Sequence, residues 1–273
     1  MQRYPVRSLS EQRYAETFAV FLDRSQEYPL MVEHLSSVIH TFPPSLNLFD
    51  VGAGTGFPIQ QLGRDTQRHV GYYLGMEPNP THLAALQRNL ECSELGRFDV
   101  VRRGFEPNTP IANGFDLVLF SHSLYGMTDP VGAFLHGASC LKAGGLALAY
   151  LQGPYGNYAM QRLFEPQFDR DAPSLENGMS SHELVNGLRE RGVNPSSHCL
   201  PSTIDMTGLF DSVQRGQLSE FLSFCLLVEC ESIPHPLLND IVQYLHGACI
   251  EIEGKLLWHV PTLAITLPAG SLV

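Results

Sequence analysis

An α/β fold around a mostly parallel sheet is what this chain predicts, and three observations carry the expectation. From Leu46 onward, short apolar runs alternate with stretches of helical periodicity, the order of successive β-α-β units. The first run, Leu46-Asn47-Leu48-Phe49-Asp50-Val51, leads directly into glycines at alternate positions, Gly52, Gly54 and Gly56. An acidic residue, Glu77, closes the next apolar run, Val70 to Met76.

The glycine run sets the ligand class. A strand that ends in a glycine turn and opens a helix lets a nucleotide-like ligand touch the backbone, because glycine tolerates positive φ and the helix start offers free N–H groups. The dinucleotide pattern G-x-G-x-x-G needs glycine at position 57, where Phe57 stands. A phosphate-cradling loop ending in Gly-Lys-Ser/Thr is absent as well. What remains is Asp50-x-Gly52-x-Gly54-x-Gly56, with a carboxylate at Glu77 placed to take both hydroxyls of a ribose. A glycine-rich turn with no ligand is the bland alternative.

The elements follow in order. Tyr14, Phe18, Phe21 and Leu22 recur at helical spacing after Ser10, and a second helix is expected over 27–40, ended by Pro43-Pro44. Strands are expected at 47–52, 70–77, 98–103, 115–121 and 146–152, with Lys142-Ala143-Gly144-Gly145 as a turn before the fifth. Helices are expected at 60–65, 80–93, 130–138 and 160–164. Further along come a helix over 181–191, a strand over 197–205, helices over 216–227 and 236–245, and a last strand over 255–267.

Composition bounds the function. The 273 residues are 44% hydrophobic and 16% charged, those of an ordinary globular chain. A net charge of −11 argues against a nucleic-acid partner. The six cysteines are dispersed without a C-x-x-C pair, which favours reduced thiols and a cytoplasmic setting. There is no zinc spacing, signal peptide or long apolar run in the pattern, so neither metal nor membrane is expected.

Asp50, the three glycines and Glu77 together resemble motif I and the acidic loop of the class I S-adenosylmethionine-dependent methyltransferases. That resemblance implies a Rossmann-like, seven-stranded sheet with an antiparallel last strand. It also implies a helical N-terminal lid, residues 1–45, ahead of a donor-binding domain, residues 46–273, with substrate-side insertions after strands four to six. The cofactor would be S-adenosyl-L-methionine and the product S-adenosyl-L-homocysteine. Asp50, Gly52, Gly54, Gly56, Glu77, Pro78, His82, Phe105 and Ser121 would contact it.

A narrower likeness spans most of the chain. Tyr14-x-Glu16-x-Phe18-x-x-Phe21-Leu22-x-x-Ser25-x-Glu27, Leu200-x-Ser202-Thr203-Ile204-Asp205-Met206 with Glu220-Phe221-Leu222, and Gly254-Lys255-Leu256-Leu257 resemble segments of the histamine N-methyltransferases. The 5-thiohistidine methyltransferases of ovothiol biosynthesis are similar in kind. Both methylate an imidazole ring nitrogen. The resemblance implies an aromatic wall at Tyr14 and Phe18, an anchoring carboxylate at Glu27, and imidazole contacts at His122 and Tyr125. Glu27 and His122 would carry the proton chemistry.

The chain departs from the histamine pattern. Asn157 and Gln161 stand where tryptophans are usual, and His259-Val260 replaces an asparagine, which places His259 among the substrate contacts. The pocket expected is wider and more polar, suited to a histidine derivative whose carboxylate calls for a cation; Arg162 and Arg170 are candidates for it, although both read first as surface residues. The expected enzyme is a monomer or weak dimer. Other readings stay open: O- or S-methylation of another metabolite, or a non-catalytic binding protein of the same fold. So do bland readings of Glu27 as a helix-start carboxylate, of His122 as a strand-end histidine, and of Tyr14 and Phe18 as core.

Overall fold

The computed structural model of the protein describes residues 2–174 and 178–271. The chain forms two compact units, each drawn from several segments and not meeting at residue 45. One comprises residues 29–151, 181–200 and 263–273; the other comprises residues 1–28, 152–180 and 201–262.

The first unit is organised on a seven-stranded sheet. Its strands are β1 (Leu46–Val51), β2 (Val70–Met76), β3 (Arg97–Val101), β4 (Phe115–Ser121), β5 (Leu141–Gln152), β6 (Ser196–Leu200) and β7 (Thr262–Pro268). Their spatial order is β3-β2-β1-β4-β5-β7-β6. Strands β3, β2, β1, β4 and β5 pair in parallel, and the last strand runs antiparallel. The sheet is thus the Rossmann-like α/β arrangement expected. Strand order reverses between β1 and β4, and open α/β sheets bind ligands at the carboxyl ends of strands at such a point. The inner strands are apolar on both faces. Leu48, Phe49, Val51, Leu117, Val118, Leu119 and Phe120 are fully buried, each worth about 1.5–3 kcal/mol of transfer free energy.

Three local expectations are corrected. The helix foreseen at 60–65 is two, Phe57–Gln61 and Arg64–His69. Leu62 turns extended between them, and the Gln67 amide donates to the carbonyls of Ile59 (3.2 Å) and Leu62 (3.1 Å). The turn foreseen at 142–145 lies inside β5 as a bulge. Phe115 faces Leu141 but Leu117 faces Leu146, and Gly144 takes φ +80° to absorb the extra residues. The single strands foreseen at 197–205 and 255–267 are each broken in two.

Those breaks share a cause. Pro201 separates β6 from Thr203–Asp205, and Pro261 separates Lys255–His259 from β7. Proline offers no N–H to a ladder. At the break Ser202 and Val260 bond both ways: Val260 N donates to Ser202 O at 3.0 Å, and Ser202 Oγ donates to Val260 O.

In the second unit, Cys249–Ile252, Lys255–His259 and Thr203–Asp205 form an antiparallel three-stranded sheet. Glu253 (φ +51°) and Gly254 (φ +75°) make its two-residue hairpin turn. Tyr4–Val6 pairs in parallel with Phe168–Arg170, neither anticipated. Helices Glu11–Leu22, Asn157–Phe164, Arg215–Leu226 and His235–Gly247 pack here around a core that includes Phe21, Phe221, Leu226, Ile241 and Trp258. Among the described residues, no helix is long and apolar enough to cross a membrane.

Candidate functional site

The donor side is built at the carboxyl ends of β1, β2 and β4. Gly52, Gly54 and Gly56 take φ +67°, +56° and +75°, the left-handed region that the alternate glycines anticipated. At Gly52 a side chain has no room, because an added Cβ would lie 2.4 Å from Ser123 Cβ. At Gly54 an added Cβ would meet nothing within 4 Å, so that backbone borders open space. Glu77, only 6% exposed, accepts from Gly54 N at 2.9 Å through one oxygen and from Asn79 N at 2.9 Å through the other. His82 Nδ1 lies 3.8 Å from Glu77, while Pro78 between them is exposed. Phe105 is buried against Phe49, Phe120 and His136, the last stacked at 5.2 Å.

Asp50 is buried at the end of β1 and receives the Tyr73 hydroxyl at 2.8 Å. Burial, with a lesser push from the nearby Glu77 charge, raises its carboxyl to about 7 against the lowering pull of that hydrogen bond. Its other oxygen, Oδ1, is buried and has no hydrogen-bond partner among the described residues. Ser121 Oγ and Ser123 Oγ, at the end of β4, are in the same condition. Each such atom costs roughly 1–3 kcal/mol when left dry. Three of them at the ends of β1 and β4, beside a glycine loop, fit a donor rich in hydroxyl and amino groups.

His122 follows β4 in a left-handed conformation, φ +52°, uncommon outside glycine and costly by about 1–3 kcal/mol. Its own N–H donates to Tyr150 O at 3.1 Å. The ring stacks on Tyr125, with centroids 5.8 Å apart. Nε2 lies 3.2 Å from Met31 Sδ and Nδ1 lies 3.1 Å from the Tyr125 hydroxyl. A thioether only accepts, so in the neutral ring Nε2 carries the hydrogen and Nδ1 accepts from Tyr125.

Glu27 is the first residue of the helix Glu27–Ile39, which continues into the sheet unit from residue 29, and it is 6% exposed. Its carboxylate accepts from Thr262 Oγ1, a fully buried hydroxyl. The approach to this helix is pinned: Gln26 N donates to Thr203 O (2.9 Å), Asp205 N donates to Arg24 O (2.9 Å), and Ser25 Oγ accepts from Glu27 N (3.1 Å). The Ser25-x-Glu27 and Ser202–Asp205 segments therefore meet, at a single isolated antiparallel bridge between Ser25 and Ile204. Glu16 and Glu220 both bind Arg13, at 2.7 Å each; the Glu16 pair lies within Glu11–Leu22, and the Glu220 pair ties that helix to Arg215–Leu226.

Tyr14 and Phe18 are half-buried in an aromatic cluster with Phe224, at 5.3 and 5.2 Å, and Phe18 meets Tyr28 edge-on at 5.8 Å. The His259 side chain is exposed, whereas its neighbour Trp258 is buried. Gln161 donates to Cys225 O at 2.7 Å. Arg170 donates to the carbonyls of Leu227 (2.8 Å) and Leu226 (3.0 Å) at a helix end, and Arg162 lies over the Tyr158 ring. Sequence reasoning overlooked Ser123, Tyr73, Met31 and Thr262. Ser123 alone left a signal, one alternate position beyond Ser121; the other three look like ordinary core residues.

Residues 49–149 match the family model described as a methyltransferase domain. Among curated proteins, carnosine N-methyltransferase 2 of Gallus gallus is 25% identical over 244 residues, covering 80% of this chain and 74% of that protein. Three solved structures share the fold. A putative methyltransferase of Bacillus halodurans has TM-score 0.53 and 13% identity, over 86% of this chain and 98% of its own. The YcgJ protein of Bacillus subtilis has TM-score 0.54 and 14% identity, over the same 86% and 98%. A putative methyltransferase of Haloferax volcanii, solved with the Trm112 methyltransferase activator, has TM-score 0.51 and 15% identity, over 92% and 93%.

Proposed function

We propose that this chain, an S-adenosylmethionine-dependent methyltransferase, methylates a ring nitrogen of an imidazole carried by a small histidine derivative. One observation carries the acceptor reading: Glu27, a carboxylate buried at a helix start and oriented by Thr262. A carboxylate at that position can accept a ring N–H of an imidazole or pair with an ammonium beside it. The likeness to a carnosine N-methyltransferase supports the same class, since carnosine is an imidazole dipeptide. The likeness to enzymes of histamine and 5-thiohistidine belongs to this reading too.

When bound, the donor supplies an electrophilic methyl group on a sulfonium. The chain's part is to hold a neutral nucleophile in line with it and exclude water. An imidazole near pKa 6.5 has one lone pair at neutral pH, and hydrogen bonding its N–H selects which nitrogen attacks. Glu27 accepts that N–H. In this reading that N–H is the proton the methylated ring sheds, and Glu27 takes it, while His122, held by Tyr125, is a polar contact for the ring. Tyr14 and Phe18 offer ring faces to a cation, worth about 0.5–2 kcal/mol. Gln161 and Arg170 are occupied with carbonyls, so the acceptor's carboxylate is not assigned to Arg170.

The test is to incubate the enzyme with labelled donor and histidine, 5-thiohistidine, histamine and carnosine, and to locate the methyl group by NMR. The expected product carries it on a ring nitrogen. A methyl on sulfur, oxygen or a side-chain amine overturns the acceptor reading and leaves the methyltransferase standing.

A further inference from the structure

We propose that Tyr73 is a positioning residue for donor binding: its hydroxyl fixes one oxygen of Asp50 and so reserves the other for the ammonium of the donor's amino-acid portion. This rests on the donor assignment and not on the acceptor reading.

Tyr73 is fully buried on β2, and its hydroxyl donates to Asp50 Oδ2 at 2.8 Å. Asp50 Oδ1 is buried and unpaired among the described residues. The strand register puts Asp50 opposite Gly75, two residues on from Tyr73. A Cβ at Gly75 would lie 2.9 Å from Tyr73 Cε1 and 3.3 Å from its hydroxyl. Gly75 therefore clears the space through which the Tyr73 ring reaches Asp50. The three residues make one device: a glycine that admits a ring, a ring that places a hydroxyl, and a carboxylate held with one oxygen free.

The charge balance selects the ligand group. Glu77 already accepts from Gly54 and Asn79. Among the described residues the groups acting on Asp50 are not cations: Tyr73 stays protonated, pushed far above its usual range by burial and the Asp50 charge, and Glu77 is acidic. Its β4 register partner, Leu119, is apolar. A carboxylate in such a place is met by a cation, and the donor's amino-acid end carries an ammonium. The tyrosine hydrogen bond favours the ionised form, so losing it raises the pH at which Asp50 becomes available.

The experiment is titration calorimetry on the full chain, Tyr73→Phe against native, with two ligands. S-adenosylhomocysteine carries the amino-acid end; 5′-methylthioadenosine has the nucleoside without it. The expected result is about tenfold weaker S-adenosylhomocysteine binding at neutral pH, the loss of one hydrogen bond to a charged group. Its pH midpoint moves upward, and 5′-methylthioadenosine binding is unchanged. Equal weakening of both ligands, or no change for S-adenosylhomocysteine, overturns the proposal. Asp50→Asn guards against a folding artefact, because it must abolish the pH dependence while keeping the tyrosine hydrogen bond.

Discussion

The donor-side loop and the N-terminal helices differ in how their polar atoms are fixed. On the donor side the deciding contacts are short in sequence: Gly54 to Glu77 and Tyr73 to Asp50 each span 23 positions. In the N-terminal helices they are long: Thr262 reaches Glu27 across 235 positions, and Arg13 reaches Glu220 across 207. A short-range site is specified by backbone conformation and leaves a pattern of glycines. A long-range site is specified by which elements pack together, and leaves only ordinary-looking residues.

That contrast breaks first at Gly52. Its positive φ and the 2.4 Å approach to Ser123 make Gly52→Val a backbone lesion. Donor binding, measured by calorimetry, should fall by roughly 100-fold or more. Near-native affinity would show that the loop is not specified locally.

A smaller effect is expected on the acceptor side. Glu27→Gln and His122→Ala should each lower kcat by roughly 100-fold, the usual scale for an acid–base or substrate-positioning group, while donor affinity stays native. Unchanged steady-state rates in both would remove them from the chemistry and return Glu27 to the role of a helix-start carboxylate.

The smallest effect sharpens the electrostatic side. Because Asp50 titrates near 7 in the folded chain against an ordinary 3.8, the folded state holds its proton longer than the unfolded state. Stability from this group is highest below pH 3.8 and falls as pH rises towards 7. Asp50→Asn removes the titration, so its melting-temperature advantage over native should grow from pH 4 to pH 8, by a few degrees. A difference that is flat with pH would mean Asp50 is already ionised at pH 4.

Much of the fold was legible because its strands are apolar runs of strand length punctuated by glycine, and β4 was placed to the residue. The sheet-switching strands were not, since a continuous apolar stretch with one proline does not say which sheet each half joins. Of the site, Asp50, the glycines and Glu77 were readable by spacing. Tyr73 was not: its role depends on Gly75 lying opposite Asp50, a property of strand register. The motif residues Glu16, Glu220 and Gly254 were visible, yet their contacts are structural, two binding Arg13 and one turning a hairpin.

By itself the sequence determined the donor class and the α/β order, because positive-φ glycines and a strand-end carboxylate are local chemical requirements that few other residues satisfy. Only the tertiary structure decided that Thr262 orients Glu27, that Met31 and Tyr125 set the hydrogen position on His122, and that Tyr73 holds Asp50. Each of those is a side-chain contact between elements far apart in the chain or across a strand register, and burial, not residue type, gives it its energy.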